Sequence, residues 1–140
     1  MARMIFSIAY SITGNYEDSE EVLQSTMLEV ARYAHTYQNN SNPKAWILAM
    51  ARHLAIDIVR KRKPSVSLDQ IELSHTSSDL ERLEVLDLLN ILDEDEKQLI
   101  MLRLYAQMPY AAIAGIMKIS ITAAQKKYQR AIKKLKKSYL

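Results

Sequence analysis

Pro109-Tyr-Ala-Ala-Ile-Ala-Gly-Ile-Met-Lys-Ile-Ser120 runs directly into Ile121-Thr-Ala-Ala-Gln-Lys-Lys-Tyr-Gln-Arg-Ala-Ile-Lys-Lys-Leu-Lys-Lys137, and these two segments decide the fold. Proline is tolerated at the first position of a helix, where its missing N–H would have no partner anyway, so Pro109 predicts a helix start. The short apolar segment that follows predicts a helix ending near Lys118. Ser120 can then accept a backbone N–H and cap a second helix. In that second helix Ile121, Ala124, Tyr128, Ala131, Ile132, Leu135 and Tyr139 recur at steps of three and four, which makes one apolar stripe. Lys126, Lys127, Arg130, Lys133, Lys134, Lys136 and Lys137 occupy the other faces. A short helix, a tight turn and a longer basic helix describe a helix-turn-helix, whose second helix fits a DNA major groove. Charge alone would also suit RNA or an acidic protein; the capped turn and the preceding helix favour DNA.

Working outward, the charge is segregated. The chain has 140 residues and a net charge of +3. Glu17–Glu29 holds five acids and no base, and Asp79–Glu96 holds eight acids and one Arg; no acid follows Glu96. Bases cluster at Arg60–Lys63 and in the last helix. Separate faces for separate partners are expected. Cysteine is absent, which excludes disulfides, thiolate nucleophiles and zinc–cysteine sites. No apolar run is long enough for a membrane span, and no small-residue cleavage site follows the first helix. An intracellular, cytoplasmic protein is expected. Two glycines and three prolines amid abundant Ala, Leu, Ile, Met, Lys and Glu predict an all-α chain.

The first helix is expected over Ala2–Thr13, with Met4, Ile5, Ile8 and Ile12 inward and Gly14 as its C-terminal cap. Asn15 is a good N-cap for a second helix reaching about Tyr37, with Glu17 and Asp18 in its first turn. Its expected inner face is Val22, Leu23, Thr26, Met27, Val30, Tyr33 and Ala34. Gln38–Pro43 reads as a polar break. A third helix is expected from Lys44 to Lys63, ahead of Pro64, with Ile47, Met50, Ala51, Leu54 and Ile58 inward. His53 and Asp57 stand one turn apart and are able to pair; no second ligand has the spacing that a metal site with His53 would need. Trp46 reads as a packing residue. Ser65–Ser78 is Ser- and Thr-rich and reads as a linker. A helix is expected over Asp79–Ile91. Asp93 with Glu96 forms a capping box for the next, filled by Leu99, Ile100, Met101, Leu102 and Leu104.

Three stretches resemble the sigma-70 family of bacterial transcription initiation subunits, most closely the extracytoplasmic-function (ECF) type. They are Ser11-Ile-Thr-Gly-Asn-Tyr-Glu-Asp-Ser-Glu-Glu-Val-Leu-Gln-Ser-Thr-Met-Leu-Glu-Val30, Pro43-Lys-Ala-Trp-Ile-Leu-Ala-Met-Ala-Arg-His-Leu-Ala-Ile-Asp-Ile-Val-Arg-Lys-Arg-Lys63, and Leu92-Asp-Glu-Asp-Glu-Lys-Gln-Leu-Ile-Met-Leu-Arg-Leu-Tyr-Ala106 with the helix-turn-helix after it. The resemblance implies two small helical domains: residues 1–63, a region 2-like three-helix unit that docks polymerase and binds and melts the −10 element; a linker at 64–79; and residues 80–140, a region 4-like helix-turn-helix for the −35 element. It implies that Glu21, Gln24 and Leu28 meet core RNA polymerase. It implies that the Gln38–Pro43 loop holds an extruded base, that Trp46, Arg52 and His53 line the path of the melted strand, and that Arg60, Lys61 and Arg62 grip upstream phosphates. Gln125, Lys126, Lys127 and Arg130 would face the −35 groove. Gln125 suits adenine, and Lys or Arg suits guanine. His53 stands where the family usually has Asn, and Ala123-Ala-Gln-Lys-Lys127 where it usually reads Thr-Val-Lys-Ser-Arg; Lys127 thus lacks a planar fork. Family members usually carry more residues ahead of the first helix.

The implied function is promoter-directed initiation through core RNA polymerase and promoter DNA, with an anti-sigma factor as a further partner. The alternatives are a degenerate sigma-like regulator that cannot initiate alone and an ordinary helix-turn-helix regulator. No catalytic residues, metal or cofactor are expected: strand opening breaks no covalent bond, no Gly-rich phosphate loop is present, and the Ser and His residues are scattered.

Overall fold

The computed structural model describes residues 1–36, 42–62 and 89–139. Among them there are helices and no strands. The N-terminal part holds α1 (Ala2–Thr13), α2 (Tyr16–Tyr33) with a 3₁₀ turn (Ala34–Thr36), and α3 (Pro43–Lys61). The C-terminal part holds a 3₁₀ turn (Leu89–Ile91), α4 (Glu94–Ile100) continuing into a π turn (Met101–Tyr105), α5 (Tyr110–Met117) and α6 (Ile121–Tyr139). The linker at 64–79 and most of the Gln38–Pro43 break and of the helix expected over Asp79–Ile91 lie outside the described residues.

The boundaries follow from local chemistry. Gly14, at φ 65°, ends α1 with its N–H on the Tyr10 carbonyl; a left-handed residue here costs glycine nothing. The Asn15 side chain accepts the Asp18 N–H at 2.8 Å, and the Ser120 hydroxyl accepts the Ala123 N–H at 3.0 Å. Asp93 and Glu96 make the full reciprocal capping box. Asn42 caps α3 through the Ala45 N–H, so Pro43 is the first residue of that helix rather than the last of the break. Pro109, by contrast, is extended (ψ 156°) and is the N-cap of α5 rather than its first residue. Lys118 takes the left-handed conformation at the end of α5, where glycine is the usual choice.

Packing departs from the expected stripes in instructive ways. Helix α1 lies against α2, α3, α4 and the π turn. It therefore buries Phe6, Ser7, Ala9, Ser11 and Thr13 as well as Ile5 and Ile8, leaving little of its circumference wet. In α3 the fully buried line is Leu48, Ala51 and Ala55; Ile47, Met50, Leu54 and Ile58 flank it half-buried. In α2 only Ser19, Val22 and Thr26 are buried. Met27, Tyr33 and Ala34, expected inward, are exposed, because a helix lying on two others along one side buries only a narrow line. Leu104 is exposed because the π turn adds a residue to the helical repeat: the Ala106 N–H reaches the Met101 carbonyl, five residues back. Ile121 and Tyr139, at the two ends of the α6 stripe, are also exposed. One apolar cluster runs from Ile5, Val22 and Leu48 to Leu99, Leu102, Ile113 and Ala131, so the N-terminal and C-terminal helices share a core.

Candidate nucleic-acid interface

Ala124 and Ala131, one heptad apart and fully buried, pin α6 to α4 and α5. At about 100° per residue, the opposite side of α6 is Thr122, Lys126, Gln129, Arg130, Lys133 and Lys137, all of them exposed. Gln125 is exposed a quarter-turn away. Lys126 and Arg130 thus share the exposed side of α6. Lys127 does not stand with them: it lies on the flank next to α4, with its Nζ 3.7 Å from the Asp95 carboxylate. Lys134 lies on the same flank and donates to Glu96 Oε1 at 2.8 Å. Thr122, Ala123, Lys126, Lys127, Arg130 and Ser120 line a shallow depression of about 310 Å³ at the start of α6. The described part of the surface thus offers an anion a short cationic ridge rising from a capped helix start.

The cations of α3 divide into two sets. Trp46, His53, Asp57 and Arg60 fall on one side of the helix; His53 is exposed and Trp46 half-buried. Asp57 does not take His53. It pairs with Arg60 at 2.7 Å and Lys61 at 3.1 Å. The Lys61 hydrogen bond is the largest cause holding the Asp57 carboxyl below its ordinary range, and the charges of Lys61 and Arg60 add to it. Arg62 bridges back to α1 and α2, donating to Thr13 O at 3.1 Å and Asp18 Oδ2 at 2.6 Å. Each cation of the Arg60–Arg62 run therefore has a carboxylate partner within the protein, an arrangement the run of basic letters did not reveal. Arg52 points away from the His53 side. Its Nε donates to Gln98 Oε1 at 2.5 Å and its Nη1 to Ile116 O at 3.4 Å. Burial lowers the Arg52 pKa, and the nearby Asp95 charge opposes that shift.

The exposed side of α2 carries Glu17, Glu20, Glu21 and Gln24 together with Met27 and Leu28, the last 70% exposed. A large apolar side chain that open to solvent beside a row of carboxylates is a surface suited to a partner with basic and apolar groups. Between α2 and α3 a groove of about 410 Å³ is lined by Glu21, Leu54, Ile58 and the Asp18, Asp57, Lys61 and Arg62 ion pairs. No group of His, Asp and Glu able to hold a metal occurs among the described residues, and no described helix is long and apolar enough to cross a membrane.

Comparison with known proteins fits both halves of this geometry. The family profile "Sigma-70 region 2" matches residues 1–64, the span of α1 to α3, and "Sigma-70, region 4" matches residues 82–135, which include α4 to α6. The chain belongs to the sigma-70 family. Among curated sigma factors, ECF RNA polymerase sigma factor SigM of Bacillus subtilis is 27% identical over 144 residues, covering 96% of this chain and 88% of SigM. ECF sigma factor SigK of Mycobacterium ulcerans is 27% identical over 132 residues, with 84% and 70% covered. For SigX and SigW of Bacillus subtilis the matched segment spans only 30% and 35% of the relative's length. Solved sigma-factor structures share the fold. RpoE of Bartonella quintana, crystallised with the anti-sigma factor NepR, superposes with a TM-score of 0.79 at 21% identity, covering 97% of this chain and 89% of RpoE. CnrH in complex with the cytosolic domain of CnrY gives 0.72 at 20% identity, with 96% and 79% covered.

Proposed function

We propose that this chain is a promoter-directing initiation subunit of the ECF type. Its residues 1–63 would hold core RNA polymerase and the −10 region, and its residues 80–140 the −35 region. The observation that carries the reading is the pairing, in one chain matched by both sigma regions, of an acidic helix with exposed apolar side chains and a capped helix with an exposed cationic ridge. In this reading Glu21, Gln24 and Leu28 on α2 contact polymerase. Trp46 and His53 face the opened strand, with Arg60 and Lys61 beside them on the phosphates. Lys126 and Arg130 position α6 on the −35 duplex through phosphates, and Gln125 reads a base edge from the flank. Arg60 and Lys61, paired with Asp57, and Arg52, Arg62 and Lys127, paired elsewhere in the protein, would each contribute only after exchanging or sharing partners. The chemistry asked of the protein is binding and strand separation, with no covalent step of its own, and its place of work is the cytoplasm. RpoE was crystallised with the anti-sigma factor NepR; an anti-sigma factor for this chain is the corresponding proposal.

The test is reconstitution with bacterial core polymerase. A stable complex and start-site selection on a panel of promoter fragments are expected. Leu28→Asp should abolish the complex while leaving helical content unchanged. Absence of a complex with the unmodified chain rejects the proposal, and a complex that never opens DNA identifies the degenerate-regulator alternative instead.

A further inference from the structure

The cationic ridge of α6 is longer than the groove it fits. Thr122, Lys126, Gln129, Arg130, Lys133 and Lys137 run along its exposed side, and its 19 residues rise about 28 Å. A major groove is about 12 Å wide, and a recognition helix offers its N-terminal residues to the bases. Thr122 to Arg130 spans about 12 Å along the axis, which already fills that width. The depression at the start of α6 also ends with Arg130. Lys133 and Lys137 stand about 4.5 and about 10.5 Å farther along, outside the depression and past the groove. Among the described residues, carboxylates reach only the α4 flank of α6, at Lys127 and Lys134; Lys133, Lys136 and Lys137 form no ion pair there. No acid follows Glu96, so α6 supplies no partner of its own. Instead Arg130 and Lys133, Lys133 and Lys136, and Lys133 and Lys137 are like-charged neighbours one turn apart. Such pairs disfavour a helix by itself, and a polyanion relieves them.

We propose that Lys133 and Lys137 form a second phosphate site, which grips duplex DNA beyond the groove that the first turns of α6 enter. The inference rests on the reading of α6 as the groove helix. Work is then divided along one helix. The N-terminal turns meet base edges and the groove walls, while the C-terminal turns add affinity on every sequence alike, because phosphates carry no sequence information.

The test follows binding of the full chain to a dye-labelled mixed-sequence duplex by anisotropy, at several salt concentrations and without polymerase. Lys133→Ala and Lys137→Ala should each lower the slope of log affinity against log salt by about 0.9, and the double variant by about twice that. Alanine is the best helix former, so circular dichroism should show undiminished helix in all three. Selection from a pool of random duplexes should return the same preferred sequence for the double variant as for the parent. Unchanged slopes, no duplex binding by the parent, or a shifted preference would each overturn the second site. A lowered slope in a chain that selects no sequence supports the phosphate site and counts against the −35 reading instead. The slopes are measured without polymerase, so a failed reconstitution leaves them interpretable.

Discussion

Lys134 and Lys126 look alike in the sequence, but the structure pairs Lys134 with Glu96 and places Lys126 on the exposed side of α6. Lys134 donates to a Glu96 carboxylate whose side chain is 4% exposed and whose Oε1 also accepts the Asp93 N–H at 3.1 Å. Lys134→Met removes the cation and leaves that carboxylate covered, with only its cap hydrogen bond. Removing one partner of a buried charge-assisted hydrogen bond costs about 1–3 kcal/mol. Lys134 itself is half exposed at 49%, so water replaces part of the lost interaction and the lower half of that range applies, about 1–2 kcal/mol. For a chain of this size that corresponds to a melting point lower by roughly 3–8 °C. Glu96→Gln retains the cap acceptor but removes the charge. The double variant should therefore be less destabilised than the sum of the two singles, with a coupling of at least about 0.5 kcal/mol. Urea unfolding of the four proteins measures this directly. A second readout separates stability from DNA contact: Lys134→Met should leave the dependence of duplex affinity on salt unchanged, because its charge is already spent on α4. Additive single effects, together with a flatter salt dependence for Lys134→Met, would refute the assignment and place Lys134 on the phosphates.

Lys126→Ala should lower the slope of log affinity against log salt by about 0.9, one phosphate contact, whereas Lys127→Ala should lower it less because Asp95 holds that ammonium; equal slopes in titrations at several salt concentrations would contradict the distinction. Gly14→Ala should destabilise by about 1 kcal/mol in urea unfolding, from backbone conformation alone, because nothing lies within 4 Å of the added methyl. Asp57 has a folded-state pKa below its ordinary 3.8. Its pairing with Lys61 and Arg60 therefore contributes fully above that value and is lost as pH falls through the lower, folded-state pKa. Carboxyl NMR should place the Asp57 midpoint below 3.8, and Lys61→Met should move it back up.

Helix ends proved highly legible because capping is a matter of a few adjacent residues. Gly14, Asn15, the Asp93–Glu96 box and Ser120 each stop or start a helix through a bond no longer than four residues in sequence. Asn42 is not distinguishable as a cap by sequence, because it sits among other polar side chains that offer a similar oxygen. The candidate site was legible by residue type and much less by direction. The sequence sets Arg52, Arg62 and Lys127 alongside other candidate DNA-facing residues, yet each is turned toward a partner distant in sequence: Gln98, Asp18 and Asp95. No spacing rule reports such pairs.

Periodicity and charge segregation were enough to determine an all-helical chain with an acidic helix early and a basic helix-turn-helix late, because hydrophobic repeat and dipole preference act over one or two turns. Only the tertiary arrangement decided which cations are free to meet a polyanion. That depends on how each helix is rotated against its neighbours, and the rotation is set by contacts such as Ala124 and Ala131 against α4 and α5, and α1 against α4. Burying α1 on nearly all sides also required the C-terminal helices to be in place, a condition that no feature of α1 itself encodes.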